Sequence, residues 1–304
     1  MTTRVALLGC GGWGRNLLRV LVESPRAHLV AVAEPHPLRR AVAEALAPHV
    51  PVVDSLDEAL LLLPDAVVIA TPPHTHAALA LAALAAGKDV FVEKPLATRA
   101  GDATLLAAKA AALGRVAMVG HLLRYHPTVA RLITLAKEGA LGSLRRFEAS
   151  RLSVAGDRSA SAIWTLGPHD FSVLHAIDPS PLRSLVTRAG PSGDPVRIEA
   201  ELTSGLEISI ALSRVSPVKE RRIEITGALA TATFDDVDAP DRVIIGGASH
   251  LVPWREPLAA EIDHFLRCVE ERAQPLTSFT EGLEVVRALS AAEDALAAPP
   301  EARV

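Results

Sequence analysis

Three glycines near the start of the chain have the spacing of a phosphate-holding loop. They lie within residues 9–14, between a continuous apolar run and a stretch whose leucines share one helical face. The first glycine allows a tight turn, the second lets a pyrophosphate approach, and the third lets helix and strand pack closely. The helix N-terminus adds free N–H groups. The pattern favours dinucleotide binding over a turn that serves packing alone. The loop residues expected to contact the cofactor are Gly9, Gly11, Gly12, Trp13 and Gly14.

An acid at the end of the second apolar run bears on which dinucleotide is bound. Glu34 follows Gly14 by 20 residues. A carboxylate there can accept both ribose hydroxyls and repels a 2′-phosphate, which favours NAD over NADP. Arg39 and Arg40 keep NADP open as the weaker alternative, because a guanidinium could meet that phosphate.

One lysine follows a buried strand directly, in the tripeptide Glu93-Lys94-Pro95. Its amine could hold a substrate oxygen or take its proton during hydride transfer to a nicotinamide. The structural alternative is a lysine that only pairs with Glu93.

These residues need a scaffold, and the first half supplies one. Strand-like and helix-like stretches alternate at least five times, which predicts an α/β fold with a doubly wound parallel sheet of the Rossmann type. Ligands bind beyond the carboxyl ends of such strands, and residues 9–14, Glu34, 71–73 and 93–95 all fall at such ends.

The second half changes its pattern. Apolar residues alternate with polar ones, which predicts hairpins around Gly205 and Gly227, and two helical stretches close the chain. We expect an α+β domain with a largely antiparallel, open sheet. The predicted domains are residues 1–120 for the dinucleotide and 121–304 for substrate and oligomerisation. An open sheet needs its second face covered, so a homodimer or homotetramer is expected.

Composition limits the function classes. The chain has 304 residues, 49% hydrophobic and 22% charged, with a net charge of −4. We expect no nucleic-acid partner and no membrane attachment. Its opening residues do not resemble a signal peptide, and Cys10 and Cys268 form no disulfide pattern, so a cytoplasmic protein is expected. His74 and His76 could join other histidines around a metal, but no strong ligand motif supports one, and none is expected.

Several motifs together resemble one family, Gfo/Idh/MocA, which includes glucose–fructose oxidoreductase and inositol dehydrogenase. The resemblance covers essentially the full length. Its carriers are the glycine loop, Ala70-Thr71-Pro72 with His76, Glu93-Lys94-Pro95, Gly120-His121 with Arg124, Gly167-Pro168-His169-Asp170, Glu261-Ile262-Asp263-His264-Phe265 and Thr280-Glu281-Gly282-Leu283. Within the family the chain looks most like the branch that oxidises nucleotide-linked amino sugars at C3.

The resemblance implies roles for particular residues. Lys94 and His169 would be catalytic, and a cis peptide would precede Pro95. Without the resemblance, His169 reads as a cap or surface residue at the start of a helix. Besides the loop and Glu34, the cofactor contacts would be Thr71, Pro72, His76, Glu93 and Lys94. The substrate contacts would be Lys94, Arg124, Tyr125, Trp164, Thr165 and His169.

One position departs from the family. Four residues before His169 a typical member carries aspartate, whereas this chain has Thr165, whose hydroxyl is not a base near neutral pH. The adjacent Asp170 is an uncertain replacement. Arg151 and Arg158 could meet an anionic substrate, although a surface location is favoured for both. The expected function is NAD(H)-dependent hydride transfer on a sugar, cyclitol or nucleotide sugar. The alternatives are an NAD-dependent glycosidase and a redox-silent NAD- or sugar-binding protein.

Overall fold

The computed structural model describes residues 2–154 and 161–297. Its internal contacts divide the chain into two compact units. The first unit comprises Met1–Leu122 and Glu256–Val286, and the second comprises Leu123–Arg255 and Arg287–Val304. Arg158 of the sequence analysis lies outside the described residues.

The first unit contains a parallel sheet of six strands. They are β1 (Thr3–Leu8), β2 (Ala27–Ala33), β3 (Val52–Val53), β4 (Ala66–Ile69), β5 (Asp89–Glu93) and β6 (Ala117–Gly120). The order β3-β2-β1-β4-β5-β6 steps outward in both directions from β1. This confirms the doubly wound sheet expected from the sequence. Strands β4 and β5 are buried throughout, and all four residues of β4 are apolar, because helices cover both faces of such a sheet.

Helices connect these strands. They are α1 (Gly14–Glu23), α2 (Pro37–Leu46), α3 (Leu56–Leu61), α4 (Pro73–Ala85) and α5 (Ala100–Ala112). Local sequence explains where several begin. The Ser55 hydroxyl accepts from the Glu58 N–H at 3.2 Å and caps α3, while Pro37 and Pro73 occupy first turns, where a missing N–H costs nothing.

The second unit is an α+β layer. A single 3-10 turn, Leu122–Tyr125, precedes α6 (Pro127–Lys137) and α7 (Ala162–Ile177). The sheet strands are β7 (Leu144–Leu152), β8 (Leu182–Ala189), β9 (Val196–Leu202), β10 (Glu207–Ser213), β11 (Glu220–Gly227), β12 (Thr231–Asp235), β13 (Ala239–Ile245) and β14 (Ala248–Leu251).

The eight strands run in the order β14-β13-β12-β11-β7-β10-β9-β8. Among the described residues, β7 and β10 are the one parallel pair of this sheet, so it is largely antiparallel, and both predicted hairpins are present. Helices α6 and α7 pack on one face, over buried side chains such as Phe147 and Ile210. The other face carries charged residues, including Glu148 and Arg222, around a shallow cavity of about 300 Å³.

The last two helices, α8 (Pro257–Glu271) and α9 (Phe279–Ala297), refine the predicted domains. The sequence analysis placed all of residues 121–304 in the second domain. In the structure α8 packs on α1 and β1 of the first unit. Arg26 holds it there through Asp263 at 3.0 Å and Glu270 at 2.6 Å. The position of α8 in the sequence does not reveal this placement, because the apolar side of an amphipathic helix can pack on an apolar surface of either unit.

Among the described residues, no helix is long and apolar enough to cross a membrane.

Candidate active site

The glycine loop joins β1 to α1 and has two different kinds of glycine. Gly9 has φ +89°, and a Cβ there would lie 2.8 Å from the Ala70 carbonyl oxygen. A Cβ on Gly14 would collide with the Gly9 carbonyl. A Cβ on Gly11, in contrast, would meet nothing within 4 Å. Packing therefore requires Gly9 and Gly14, whereas the space at Gly11 is left for a group that is not part of the chain.

That space opens into a cleft of about 810 Å³ inside the first unit. The glycine loop, Glu34 at the end of β2, and Thr71 and Pro72 after β4 all line it. These segments meet because the carboxyl ends of parallel strands share one sheet edge. The cleft and its open glycine position fit a dinucleotide, with α1 directing its N-terminus toward the loop.

Glu34 is held rigidly at the edge of this cleft. The side chain is 3% exposed. One carboxylate oxygen accepts from the Cys10 N–H at 2.8 Å and the other from the His36 N–H at 3.0 Å. A carboxylate has about four acceptor sites, so further sites remain for hydroxyl donors. Glu34 thus fixes the glycine loop as well as facing the cleft.

The two arginines considered for a 2′-phosphate have different surroundings. Arg40 donates to Asp54 and to the Val52 carbonyl and lies 3.5 Å from Glu44. Arg39 is exposed and lines the cleft. Arg40 is therefore committed to protein partners, and Arg39 is the arginine placed to affect cofactor choice.

Glu93 connects the glycine loop to the turn that carries Lys94. The Trp13 indole N–H donates to its carboxylate, and the Lys94 backbone N–H donates to the second oxygen at 3.2 Å. Burial raises the pKa of Glu93 to about 7, although the Lys94 charge and the Trp13 hydrogen bond oppose the shift. The Lys94–Pro95 peptide is cis, as the resemblance implies.

His76 has a supporting position. Its ring is 1% exposed, with Nδ1 at 2.8 Å from the Pro95 carbonyl oxygen and Nε2 at 2.9 Å from the Thr71 carbonyl oxygen. Burial lowers the pKa of His76. A neutral imidazole has a single N–H and donates to only one of these carbonyls. Both ring nitrogens lie against the backbone of the turns after β4 and β5, so His76 packs between these turns and offers neither nitrogen to a ligand.

In the second unit His169 lies well inside α7, so its predicted place at a helix start is wrong. The helix begins after Ser161, whose hydroxyl accepts from the Ile163 N–H at 3.2 Å. Pro168 lies within the helix. Pro168 suggests a helix boundary in the sequence, so the helix start was predicted too late. Tertiary packing can retain a helix through a proline. Thr165 stands one turn before His169 and donates to the Ser161 carbonyl at 2.9 Å.

A buried ion pair flanks His169. Asp170 accepts two hydrogen bonds from Arg151, at 2.8 and 3.2 Å, and both side chains are buried. The favoured surface location of Arg151 is therefore wrong. The bidentate pair attaches α7 to β7 beside His169, which leaves neither residue available as a free acid or anion receptor.

Three other predicted substrate residues also belong to the second unit. Arg124 is buried and donates to the Ser172 carbonyl at 3.1 Å, while Tyr125 is half-buried beside it. The Trp164 indole donates to Glu293 at 2.7 Å. Arg124 thus donates a hydrogen bond to the backbone of α7, and Trp164 joins α7 to α9 through its hydrogen bond to Glu293.

The sequence analysis assigned no role to Glu261. Glu261 belongs to one of the motifs that carry the resemblance. Its sequence neighbours do not distinguish it from a solvent-exposed glutamate on an amphipathic helix. The structure shows it fully buried in the first unit. In residues 2–154 and 161–297, no three His, Cys, Asp or Glu side chains are arranged to hold a metal ion.

Comparison with known proteins agrees with this architecture. A family model described as an oxidoreductase family with an NAD-binding Rossmann fold matches residues 3–121. Inositol 2-dehydrogenase 1 of Saccharopolyspora erythraea is 30% identical, over 77% of this chain and 74% of its own. UDP-N-acetylglucosamine 3-dehydrogenase of Acidithiobacillus ferrooxidans is 30% identical, over 77% and 79%.

A solved structure of UDP-N-acetylglucosamine 3-dehydrogenase from A. ferrooxidans superposes with a TM-score of 0.88, at 26% identity, over 97% of this chain and 98% of that one. Together with the glycine loop and its cleft, these similarities define an oxidoreductase with a Rossmann-fold NAD(P)-binding domain. The chain belongs to the Gfo/Idh/MocA family, as its motifs predicted.

Proposed function

We propose that this chain is an NAD(H)-dependent dehydrogenase that acts on a secondary alcohol of a sugar, cyclitol or nucleotide sugar. The observation that carries the proposal is the cleft of about 810 Å³, in which the glycine loop and Glu34 meet. Two relatives named for inositol and UDP-N-acetylglucosamine support the substrate class. Buried, unpaired Cys10 and Cys268 are compatible with a reducing compartment, which supports a cytoplasmic location.

The preference for NAD over NADP follows from charge. Glu34 is locked by two backbone donors, so it cannot turn away from a 2′-phosphate. Arg40 is engaged by Asp54. The proposed contacts of the dinucleotide are the glycine loop with Gly12 and Trp13, Glu34, Thr71, Pro72 and the turn at Glu93 and Lys94, with His76 supporting that turn.

When bound, the nicotinamide accepts or gives the hydride at the carbinol carbon. Oxidation also releases the hydroxyl proton, which needs an acceptor. We assign acceptance of this proton to the His169 imidazole as general base, and to Lys94 the role of holding the substrate oxygen or relaying its proton. Thr165 cannot take the proton near neutral pH, but its oxygen can accept a hydrogen bond from the substrate. Arg124, Tyr125 and Trp164 complete the proposed substrate residues.

The test has two stages. Purified protein stripped of nucleotide is titrated calorimetrically with NADH and with NADPH, and we expect tighter binding of NADH. Polyols and nucleotide sugars are then screened with NAD⁺ by nicotinamide absorbance. Lys94→Ala should reduce turnover by at least about 100-fold, whereas Lys109→Ala, an exposed lysine on α5, should not.

Either stage can refute the proposal. Failure to bind both cofactors would contradict the whole assignment. Tight binding without hydride exchange on any substrate would favour a binding protein, and glycosidic cleavage without net NADH release would favour a glycosidase. Full turnover by Lys94→Ala would remove Lys94 from the mechanism.

A further inference from the structure

Arg214 follows β10 in the second unit and is a buried arginine whose guanidinium has no acceptor. The residue is 8% exposed. Its Nε and Nη1 atoms are enclosed, and neither has a hydrogen-bond partner within the described parts of the chain. A guanidinium keeps its charge at any physiological pH, and an unpaired buried charge is costly. A cation held in this way is suited to receive an anion from outside the chain.

The acid beside Arg214 holds its backbone rather than its side chain. One oxygen of Asp194 accepts from the Ser213 hydroxyl at 2.5 Å, and the other accepts from the Arg214 backbone N–H at 2.9 Å. The Ser153 N–H also donates to the Ser213 carbonyl at 2.8 Å, which fixes the end of β10 against the end of β7. Arg214 is therefore anchored through its backbone, while its guanidinium has no counter-charge among the described residues.

The position of Arg214 places it on the sheet face that α7 covers. A Cβ on Gly167 of α7 would lie 3.6 Å from the Leu212 side chain, so the helix crosses directly over β10. Arg214 follows Leu212 by two positions, and the alternation of side chains directs it to the same face, about 7 Å further along the strand. The helix above this face carries the proposed substrate residues Thr165 and His169.

A second buried arginine on the same face is already neutralised. Arg151 of β7 lies opposite Leu212 in the parallel register. Its guanidinium donates two hydrogen bonds to Asp170, at 2.8 and 3.2 Å. Asp170 is thus committed to Arg151 and does not compensate Arg214. The anion-binding role considered for Arg151 in the sequence analysis is therefore better suited to Arg214.

We propose that Arg214 binds an anionic group of the substrate, either a carboxylate or a phosphate oxygen. The planar fork of a guanidinium matches both groups, because each offers two oxygens to parallel N–H donors. That the ligand is a sugar derivative rests on the proposed function. Within that function, Arg214 narrows the substrate class from neutral polyols to sugar acids and nucleotide sugars.

Calorimetric titration of the full chain tests the site with three ligands that share a pyranose ring: glucose, glucuronate and UDP-glucose. Saturating NADH keeps the uridine nucleotide out of the dinucleotide cleft. We expect one anionic ligand to bind at least about tenfold more tightly than glucose. Tighter glucuronate binding identifies a carboxylate as the bound group, and tighter UDP-glucose binding identifies the diphosphate.

Variants assign the preference to one side chain. Arg214→Met should abolish the preference for the anionic ligand, and Arg214→Lys, which keeps the charge without the fork, should retain part of it. Arg145→Met, at an exposed arginine of β7, should bind all three ligands like the wild type. Equal affinity of the wild type for all three ligands, or an anion preference that survives in Arg214→Met, would overturn the proposal.

Thermal unfolding without ligand separates binding from a structural role. Because Arg214→Met removes a buried charge that lacks a counter-charge, its melting temperature should equal or exceed that of the wild type. A lower melting temperature, together with glucose binding weakened as much as that of the anionic ligands, would show that Arg214 only supports the fold.

The two proposals can fail separately. A chain that binds an anionic sugar through Arg214 but exchanges no hydride would contradict the proposed dehydrogenase and retain the anion site. A chain that oxidises a neutral polyol with equal kcat/KM in the wild type and in Arg214→Met, and shows no anion preference, would retain the dehydrogenase and overturn the anion site.

Discussion

The Trp13 indole N–H donates a hydrogen bond to the Glu93 carboxylate, across 80 positions of sequence. Trp13 precedes α1, and Glu93 ends β5. This bond joins the loop proposed to hold the dinucleotide to the turn that carries Lys94. Cofactor binding and the orientation of the lysine are therefore expected to depend on one another.

Replacing Trp13 by phenylalanine should test that connection. The hydrogen bond from Trp13 lowers the pKa of Glu93, so its loss should raise that pKa above about 7. NADH affinity should also weaken, by about tenfold. Carboxyl ¹³C NMR measures the first effect and calorimetry the second. Trp254→Phe, at an exposed tryptophan of the second unit, is the control. An unchanged Glu93 titration would argue against the bond.

Cofactor choice should depend on Glu34 and Arg39 in opposite ways. Glu34→Ala removes two backbone hydrogen bonds and the charge facing the cleft, so NADH affinity should fall about ten- to 100-fold. Discrimination against NADPH should fall with it. Arg39→Ala should weaken only NADPH. The exposed change Asp57→Asn on α3 should affect neither cofactor in the same titrations. Preferential NADPH binding by the wild type would reverse the assignment.

The pair of Arg151 and Asp170 should be costly to break. Asp170→Asn leaves a buried guanidinium without its counter-charge, and we expect a loss of about 3–5 kcal/mol in stability. The exposed pair of Arg188 and Glu199 should contribute less than about 1 kcal/mol when Glu199 becomes Gln. Thermal unfolding of both variants, with Arg151→Met/Asp170→Leu as a repaired pair, distinguishes these cases. Similar melting temperatures for all of them would contradict the prediction.

Stability should fall as pH rises from about 4.5 toward and beyond about 7. Glu93 has a folded pKa raised from 4.5 to about 7, and burial also raises the pKa of Glu261 well above its usual range. The folded state then binds more protons than the unfolded state, so the free energy of unfolding decreases with pH in this window. Melting temperatures of Glu261→Gln should decline less steeply than those of the wild type or Glu271→Gln. Parallel curves would show that Glu261 titrates alike in both states.

The charged face of the second sheet is the expected site of self-association. Ala211 on β10 borders the shallow cavity of that face, beside Arg222 and Glu224. Ala211→Glu adds bulk and charge there, so a homodimer or homotetramer formed through this face should dissociate toward monomer. Sedimentation velocity measures the outcome. Assembly that is unaffected by Ala211→Glu would place any interface elsewhere.

Much of the fold could be predicted because its signals are local. The order of strands and helices through residue 120 follows from apolar runs, and local residues such as Ser55, which caps α3, mark where helices begin. Strand β14 gives no such local signal, because all four of its residues are exposed and carry no alternating pattern. The start of α7 was misplaced because Pro168 reads as a boundary, although the helix continues through it.

The sequence by itself determined the glycine loop, the acid at Glu34, the lysine at a strand end and hence the family. These depend on residue type and spacing along one segment. Only the tertiary structure decided that α8 joins the first unit, that Arg151 is paired with Asp170, and that Glu261 is buried near Glu93. Each of these depends on which distant residue fills the space beside a side chain. Burial and charge pairing arise from that contact, and spacing along the chain does not encode them.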